Sequence, residues 1–73
     1  MPFQIVMNYN GDTRHQFDPT DLKEVDEAER RFKQLTGLGF TAAARLGDGR
    51  SRLLRTFDST VEETLFMPRL VGG

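Results

Sequence analysis

The sequence predicts a small α+β domain in ββαββ order with a final strand, and three observations carry that expectation. Stretches of period-two alternation flank a single helix-period stripe of apolar residues, and the chain closes on a glycine pair. With 73 residues there is room for one domain, expected over 1–67, with 68–73 as a flexible C-terminal tail.

The first strand rests on Phe3, Ile5, Met7 and Tyr9 alternating with Gln4, Val6, Asn8 and Asn10, and Asn10-Gly11 marks a turn. A tight Asn-Gly loop would set Phe17 opposite Gln4. A loop of Tyr9-Asn10-Gly11, with Gly11 left-handed, sets Phe3 opposite Phe17 and Ile5 opposite His15. The second register keeps the apolar residues on one face and is the one expected.

The helix is expected from Asp18-Pro19-Thr20-Asp21 to about Thr36. Asp18 suits the cap, Pro19 the first helical position and Asp21 the positive end of the helix dipole. Leu22, Val25, Ala28, Phe32 and Leu35 form one stripe able to cross a sheet. Asp26 with Arg30, Glu27 with Arg31 and Glu29 with Lys33 are spaced as i,i+4 ion pairs, and Gly37 offers a left-handed stop.

A second hairpin follows. Phe40, Ala42, Ala44 and Leu46 alternate with Thr41, Ala43 and Arg45, Gly47-Asp48-Gly49 turns the chain, and a second alternating run spans 50–57. Asp58-Ser59-Thr60 with Glu62 and Glu63 resembles a capping sequence, so a short helical turn is expected before a last strand at Thr64 to Met67, which Pro68 ends. Phe17-Asp18-Pro19-Thr20 and Phe57-Asp58-Ser59-Thr60 occupy matching places after the two hairpins. A degenerate repeat would make 60–67 a second, shorter helix, an alternative that so short an apolar run leaves open.

Composition excludes several classes. There is no cysteine, so neither a disulfide nor a thiolate metal site is available, and small secreted domains usually need disulfides, which favours the cytoplasm. The opening segment lacks a basic region followed by an apolar run, and no stretch approaches the roughly 20 apolar residues of a membrane span. Net charge is −1, with acids gathered from Asp18 to Glu29 and Arg45, Arg50, Arg52 and Arg55 gathered in the second hairpin. An anionic partner at these arginines is a competing reading, but alternation divides them between two faces and no aromatic interleaves them, so nucleic acid is disfavoured.

Enzymatic chemistry finds little support. His15 is the sole histidine, which excludes a histidine cluster and leaves a Ser-His-Asp arrangement unsupported. Gly47-Asp48-Gly49 lacks the lysine and following helix of a phosphate-binding loop. No catalytic residue, metal or cofactor is assigned to the chain itself. The Gly72-Gly73 pair instead offers the terminal carboxylate as a reactive group, because a backbone without Cβ atoms threads channels too narrow for side chains.

The order of elements, with a last strand feeding Gly72-Gly73, resembles the β-grasp fold of ubiquitin-like proteins. The segment Glu62-Glu63-Thr64-Leu65-Phe66-Met67-Pro68-Arg69-Leu70-Val71-Gly72-Gly73 is similar to the ending of the sulfur-carrier members, and Arg69 and Leu70 echo the residues before ubiquitin's own glycine pair. Two departures stand out: Arg69 follows Pro68 where sulfur carriers usually have a second proline, and no assured equivalent of ubiquitin's Leu-Ile-Val recognition patch is visible.

The resemblance implies that the carboxylate of Gly73 is adenylated by a ubiquitin-activating-type enzyme using ATP. It is then passed to a conjugating enzyme as a thioester for protein modification, or converted by a sulfur-transfer enzyme to a thiocarboxylate. By the same resemblance Gly72 keeps the tail passable, Leu70 and Val71 enter the partner's groove, Arg69 pairs with acids there, and Phe66 and Met67 join the partner-facing set. ATP, metal and cysteine would belong to the partner. Lys23 and Lys33 are the only lysines, which restricts chain building through internal lysines.

Overall fold

The computed structural model describes residues 1–69. One helix and a five-stranded mixed sheet follow in the order β1 (Phe3–Asn8), β2 (Gly11–Gln16), α1 (Leu22–Gly37), β3 (Thr41–Arg45), β4 (Ser51–Leu54) and β5 (Glu63–Met67). Across the sheet the strands lie β2-β1-β5-β3-β4, so the last strand sits in the middle. β5 runs parallel to β1 and antiparallel to β3, while β1–β2 and β3–β4 are antiparallel hairpins. This architecture is compatible with a β-grasp-like fold. The segment 60–67 is therefore no second helix, and the expected helical turn at Asp58 is a tight turn in which the Val61 N–H donates to the Asp58 carbonyl at 3.3 Å.

The first hairpin departs from the expected register. Gly11 has the anticipated positive φ, 119°, but it pairs with Asn8, so Phe3 faces Gln16 and Ile5 faces Arg14. The Asn8 side chain accepts the Asn10 N–H at 2.9 Å and closes the turn one residue earlier than expected. Phe17, displaced from Phe3, donates its N–H to the Pro2 carbonyl at 3.1 Å.

Following the registers across all five strands separates the two faces. His15, Gln4, Thr64, Ala44 and Arg52 form one row, and Thr13, Val6, Phe66, Ala42 and Leu54 the next. Hydrogen bonding of Gln4 to α1 places these rows under the helix. The alternating set Phe3, Ile5 and Met7, read in the sequence as the apolar face, thus points to the opposite side of the sheet.

Helix α1 starts later than Asp18. Asp21 is its N-cap, its carboxylate accepting the N–H groups of Lys23 and Glu24, while Asp18 is engaged in a turn of its own. Asp18 Oδ1 accepts both the N–H and the hydroxyl of Thr20, at 2.9 and 2.7 Å, and the Asp18 N–H donates to Glu24 Oε1. Asp58 treats Thr60 in the same way, at 2.9 and 2.6 Å, so the repeated Phe-Asp-x-Thr segments share one local geometry without sharing a following helix. Their leading phenylalanines meet, with ring centroids of Phe17 and Phe57 5.9 Å apart.

At its other end the helix is stopped by Gly39 rather than Gly37. The Phe40 N–H donates to the Leu35 carbonyl and the Gly39 N–H to the Thr36 carbonyl, a Schellman arrangement with Leu38 as C-cap and Gly39 at φ 100°. Of the three i,i+4 pairs expected, only Glu29–Lys33 forms among the described residues, at 3.8 Å. Arg31 turns instead to Gln4 Oε1, a buried acceptor whose loss of a partner would cost more than an exposed ion pair returns.

The core lies between helix and sheet. Phe32, Ala42 and Phe66 form its centre, with Val6, Leu35, Phe40, Leu54 and Phe57 packed around them. Phe32 meets Phe66 and Phe57 edge-on at 5.7 and 6.1 Å. Ala28 is fully buried, and its small side chain suits the close passage of α1 over the sheet. Leu22, expected in the buried stripe, is 81% exposed, so the stripe begins at Val25.

Candidate functional site: the approach to the C-terminus

Because β5 is central, the chain's last described residues leave from the middle of the sheet. Met67 pairs with Thr41, and Pro68, lacking an N–H, cannot extend the ladder. Met67 and Pro68 are partly buried and Arg69 is exposed. Of the remaining residues assigned to this site, Leu70, Val71, Gly72 and Gly73 lie outside the described residues.

Phe66 requires a correction. It is fully buried against Phe32 and Ala42, and the period-two geometry of β5 aims it under the helix, so it has no surface to offer a partner. Its neighbour Leu65 faces the other way, beside Ile5 and Ala43. The sequence presented Leu65-Phe66-Met67 as one apolar run, and only pairing on both sides of β5 divides it.

Gly39 joins the site without having been singled out. A Cβ at position 39 would stand 3.6 Å from Arg69 Cδ and 3.8 Å from Arg69 Cβ, so the stem of Arg69 lies over the bare backbone of the helix stop. Here the left-handed glycine that ends α1 is also the floor on which the departing chain rests. The spacing Gly37-Leu38-Gly39 offered two candidate stops, and local sequence did not choose between them. Leu38, 70% exposed, stands beside this contact.

The face of the sheet away from α1 carries Arg14, Ile5, Leu65, Ala43 and Leu53 in one row across the five strands. Ile5 and Ala43 are buried, whereas Leu53 is 70% exposed. The Arg14 guanidinium carbon lies 5.8 Å from the Phe3 ring centroid, a cation–π contact at the margin. Met67 belongs to this same face by alternation with Phe66, which links the apolar strip to the exit of the chain.

The four arginines of the second hairpin do not form one basic surface. Arg45 lies 3.7 Å from Glu63, Arg50 contacts Asp48 at 2.6 Å, and the charge of Arg52 helps hold the Asp58 carboxyl below its ordinary range. The larger cause of that lowering is the pair of hydrogen bonds from Thr60. Only Arg55 lacks a carboxylate neighbour in these interactions. Gly47 and Gly49 belong to the turn between β3 and β4 and border an open concavity of about 580 Å³, with Phe3 and Glu62 on its other side.

Among the described residues no group of three or more histidine, aspartate or glutamate side chains is placed to hold a metal ion. His15 lies on β2, and its pKa is lowered by partial burial and then by the nearby charge of Arg31. No described helix is long and apolar enough to cross a membrane. Compared with protein-family models, curated proteins and solved structures, the chain matches none.

Proposed function

We propose that the chain is a β-grasp, ubiquitin-like modifier whose reactive group is the carboxylate of Gly73. The observation that carries this reading is the central position of β5 followed by Pro68: the strand is anchored on both sides and the ladder stops at Met67, one residue before Pro68 and the exposed Arg69. The Gly72-Gly73 ending of the sequence suits passage through a narrow channel of a partner.

In this reading the partner supplies ATP and the catalytic groups. Attack of the carboxylate on the α-phosphorus of ATP forms an acyl-adenylate and releases pyrophosphate. A cysteine thiolate of the partner then displaces AMP to give a thioester, and a lysine amine of the target displaces the thiolate to give an isopeptide bond. Beyond the reacting Gly73 carboxylate itself, this chain contributes positioning. Arg69, held over Gly39, presents a guanidinium to acids of the partner, and Met67 extends the contact onto the open sheet face.

A sulfur carrier shares the first step and differs in the product. The scarcity of lysines, Lys23 and Lys33 both on α1, favours it over polymeric chains but not over single attachment. An N-terminally tagged chain ending at Gly73, expressed in its native host, separates the readings. Adducts that survive denaturation and, after tryptic cleavage at Arg69, leave a Leu-Val-Gly-Gly remnant on target lysines support the modifier. A purified chain whose mass has gained by exchange of one oxygen for sulfur supports the carrier. Neither product, or equal product from a chain lacking Gly73, overturns both.

A further inference from the structure

The two margins of the sheet are built differently. β2, at one end of the strand order, carries Asp12, Arg14 and His15, residues of the kind that keep an open edge from pairing with another chain. β4, at the other end, reads Ser51-Arg52-Leu53-Leu54, and Leu53 is 70% exposed. No strand meets the outer side of β4 among the described residues.

The hairpin fixes which backbone groups of β4 lie on that open side. Leu46 donates its N–H to the Arg50 carbonyl at 2.8 Å, in the same register as Ala44–Arg52 and Ala42–Leu54. Hydrogen-bonded and non-hydrogen-bonded pairs alternate along an antiparallel ladder, so Arg52 and Leu54 bond inward to β3. The N–H and carbonyl groups of Ser51 and Leu53 therefore point outward, where an antiparallel strand can meet them.

We propose that β4 is a self-association edge, on which a second copy of this chain lays its own β4 antiparallel about a two-fold axis at Leu53. The two Leu53 residues exchange N–H and carbonyl bonds and cover each other's side chains. Ser51 then faces Arg55 of the second copy, and Arg52 faces its Leu54. An axis at Arg52 would instead set two arginines opposite each other, which like charge disfavours.

Charge complementarity selects the second copy as the occupant. Arg50 and Arg52 precede Leu53 and Asp58 follows it, so antiparallel strands bring the basic end of one copy to the acidic end of the other. Arg55 of the second copy is separated from Arg45 by Ser51, and Glu63, 3.7 Å from Arg45, lies beyond. Five residues a side fall short of the roughly 1,200 Å² of a stable interface, so the dimer is weak and depends on concentration. Neither the reaction at Gly73 nor the fold assignment is needed for it.

Sedimentation equilibrium of the full chain from micromolar to millimolar concentration should show the mass rising from one chain toward two. Amide NMR shifts over the same dilution series should centre on Ser51, Leu53 and Arg55, and a mixture of labelled and unlabelled chain should give a filtered NOE between Arg52 and Leu54. Leu53→Lys, which sets two lysines across the axis, should raise the dimer Kd about tenfold or more, whereas Thr13→Lys on the other edge should leave it unchanged. Both positions are exposed, and unchanged urea midpoints in dilute solution keep folding out of the comparison. Deleting Gly72 and Gly73 should leave Kd unchanged, which separates this edge from the activity proposed for the tail. A single-chain mass at millimolar concentration, shifts centred on Gly11 to Gln16 instead, or undiminished association of Leu53→Lys would overturn the proposal.

Discussion

Gln4 Nε2 donates to the Ala28 carbonyl at 2.9 Å, tying the first strand to the middle of the helix across a fully buried contact. The same side chain accepts from Arg31 Nη1 at 2.7 Å, so both ends of the carboxamide are satisfied. A polar residue thereby occupies the centre of the helix-facing side of β1. Gln4→Ala removes both bonds and leaves a void, and is expected to cost about 2–4 kcal/mol. Urea denaturation measures it, and Gln4→Met, which refills the volume, should recover part of the loss.

Gly39 carries a second stability cost. Gly39→Ala meets Arg69 only at ordinary contact distance, so its penalty comes from holding alanine at φ 100° and should be about 1–2 kcal/mol. Gly37→Ala, with no atom within 4 Å of the added Cβ and no positive φ, is expected to be neutral or slightly stabilising. A thermal melt of the two variants side by side distinguishes which glycine stops the helix.

Burial predicts a sharp contrast within the apolar residues. Phe66→Ala should cost about 3–5 kcal/mol, enough to unfold much of a domain this small. Leu22→Ser, at an exposed position, should change stability by less than about 0.5 kcal/mol. Circular dichroism of the two variants at room temperature would already tell them apart.

Asp18 and Asp58 give stability an acid limb. Hydrogen bonds from Thr20 and Thr60 lower both pKa values in the folded state, so the native protein binds fewer protons than the unfolded chain. Their contribution is present above the unfolded carboxyl pKa of about 3.9 and is lost as pH falls through the lower folded values. Urea midpoints measured from pH 6 downward should fall in that window, and the double variant Asp18→Ala, Asp58→Ala should show a flatter fall.

Much of the local structure was legible because its causes are local. The helix stripe Val25, Ala28, Phe32, Leu35, the turn at Gly11 and the strand break at Pro68 each follow from spacing or from a backbone restriction. The two Phe-Asp-x-Thr segments left a second helix over 60–67 open for the same reason. They do fold alike, but Asp21 supplies a real N-cap after the first, whereas after the second β5 finds pairing partners in β1 and β3. Tertiary pairing overrode the repeat.

At the candidate site the burial of Phe66, one of the residues expected to face a partner, and the support of Arg69 by Gly39 both come from tertiary packing. Contact between Gly39 and Arg69 joins residues thirty positions apart, and no periodicity encodes it.

The sequence by itself determined where a helix, two hairpins and a last strand would form, since apolar period, capping residues and glycine angles act within a few residues. The tertiary structure decided which side of β1 faces the helix. Phe3, Ile5 and Met7 look like a core face in isolation, yet Gln4 and Val6 are the residues under α1. A central strand has covered neighbours on both edges, so even its outward side chains are shielded by adjacent strands, as Ile5 is. Alternation then reports two environments without saying which one the helix occupies, and that choice is made when Gln4 reaches Ala28.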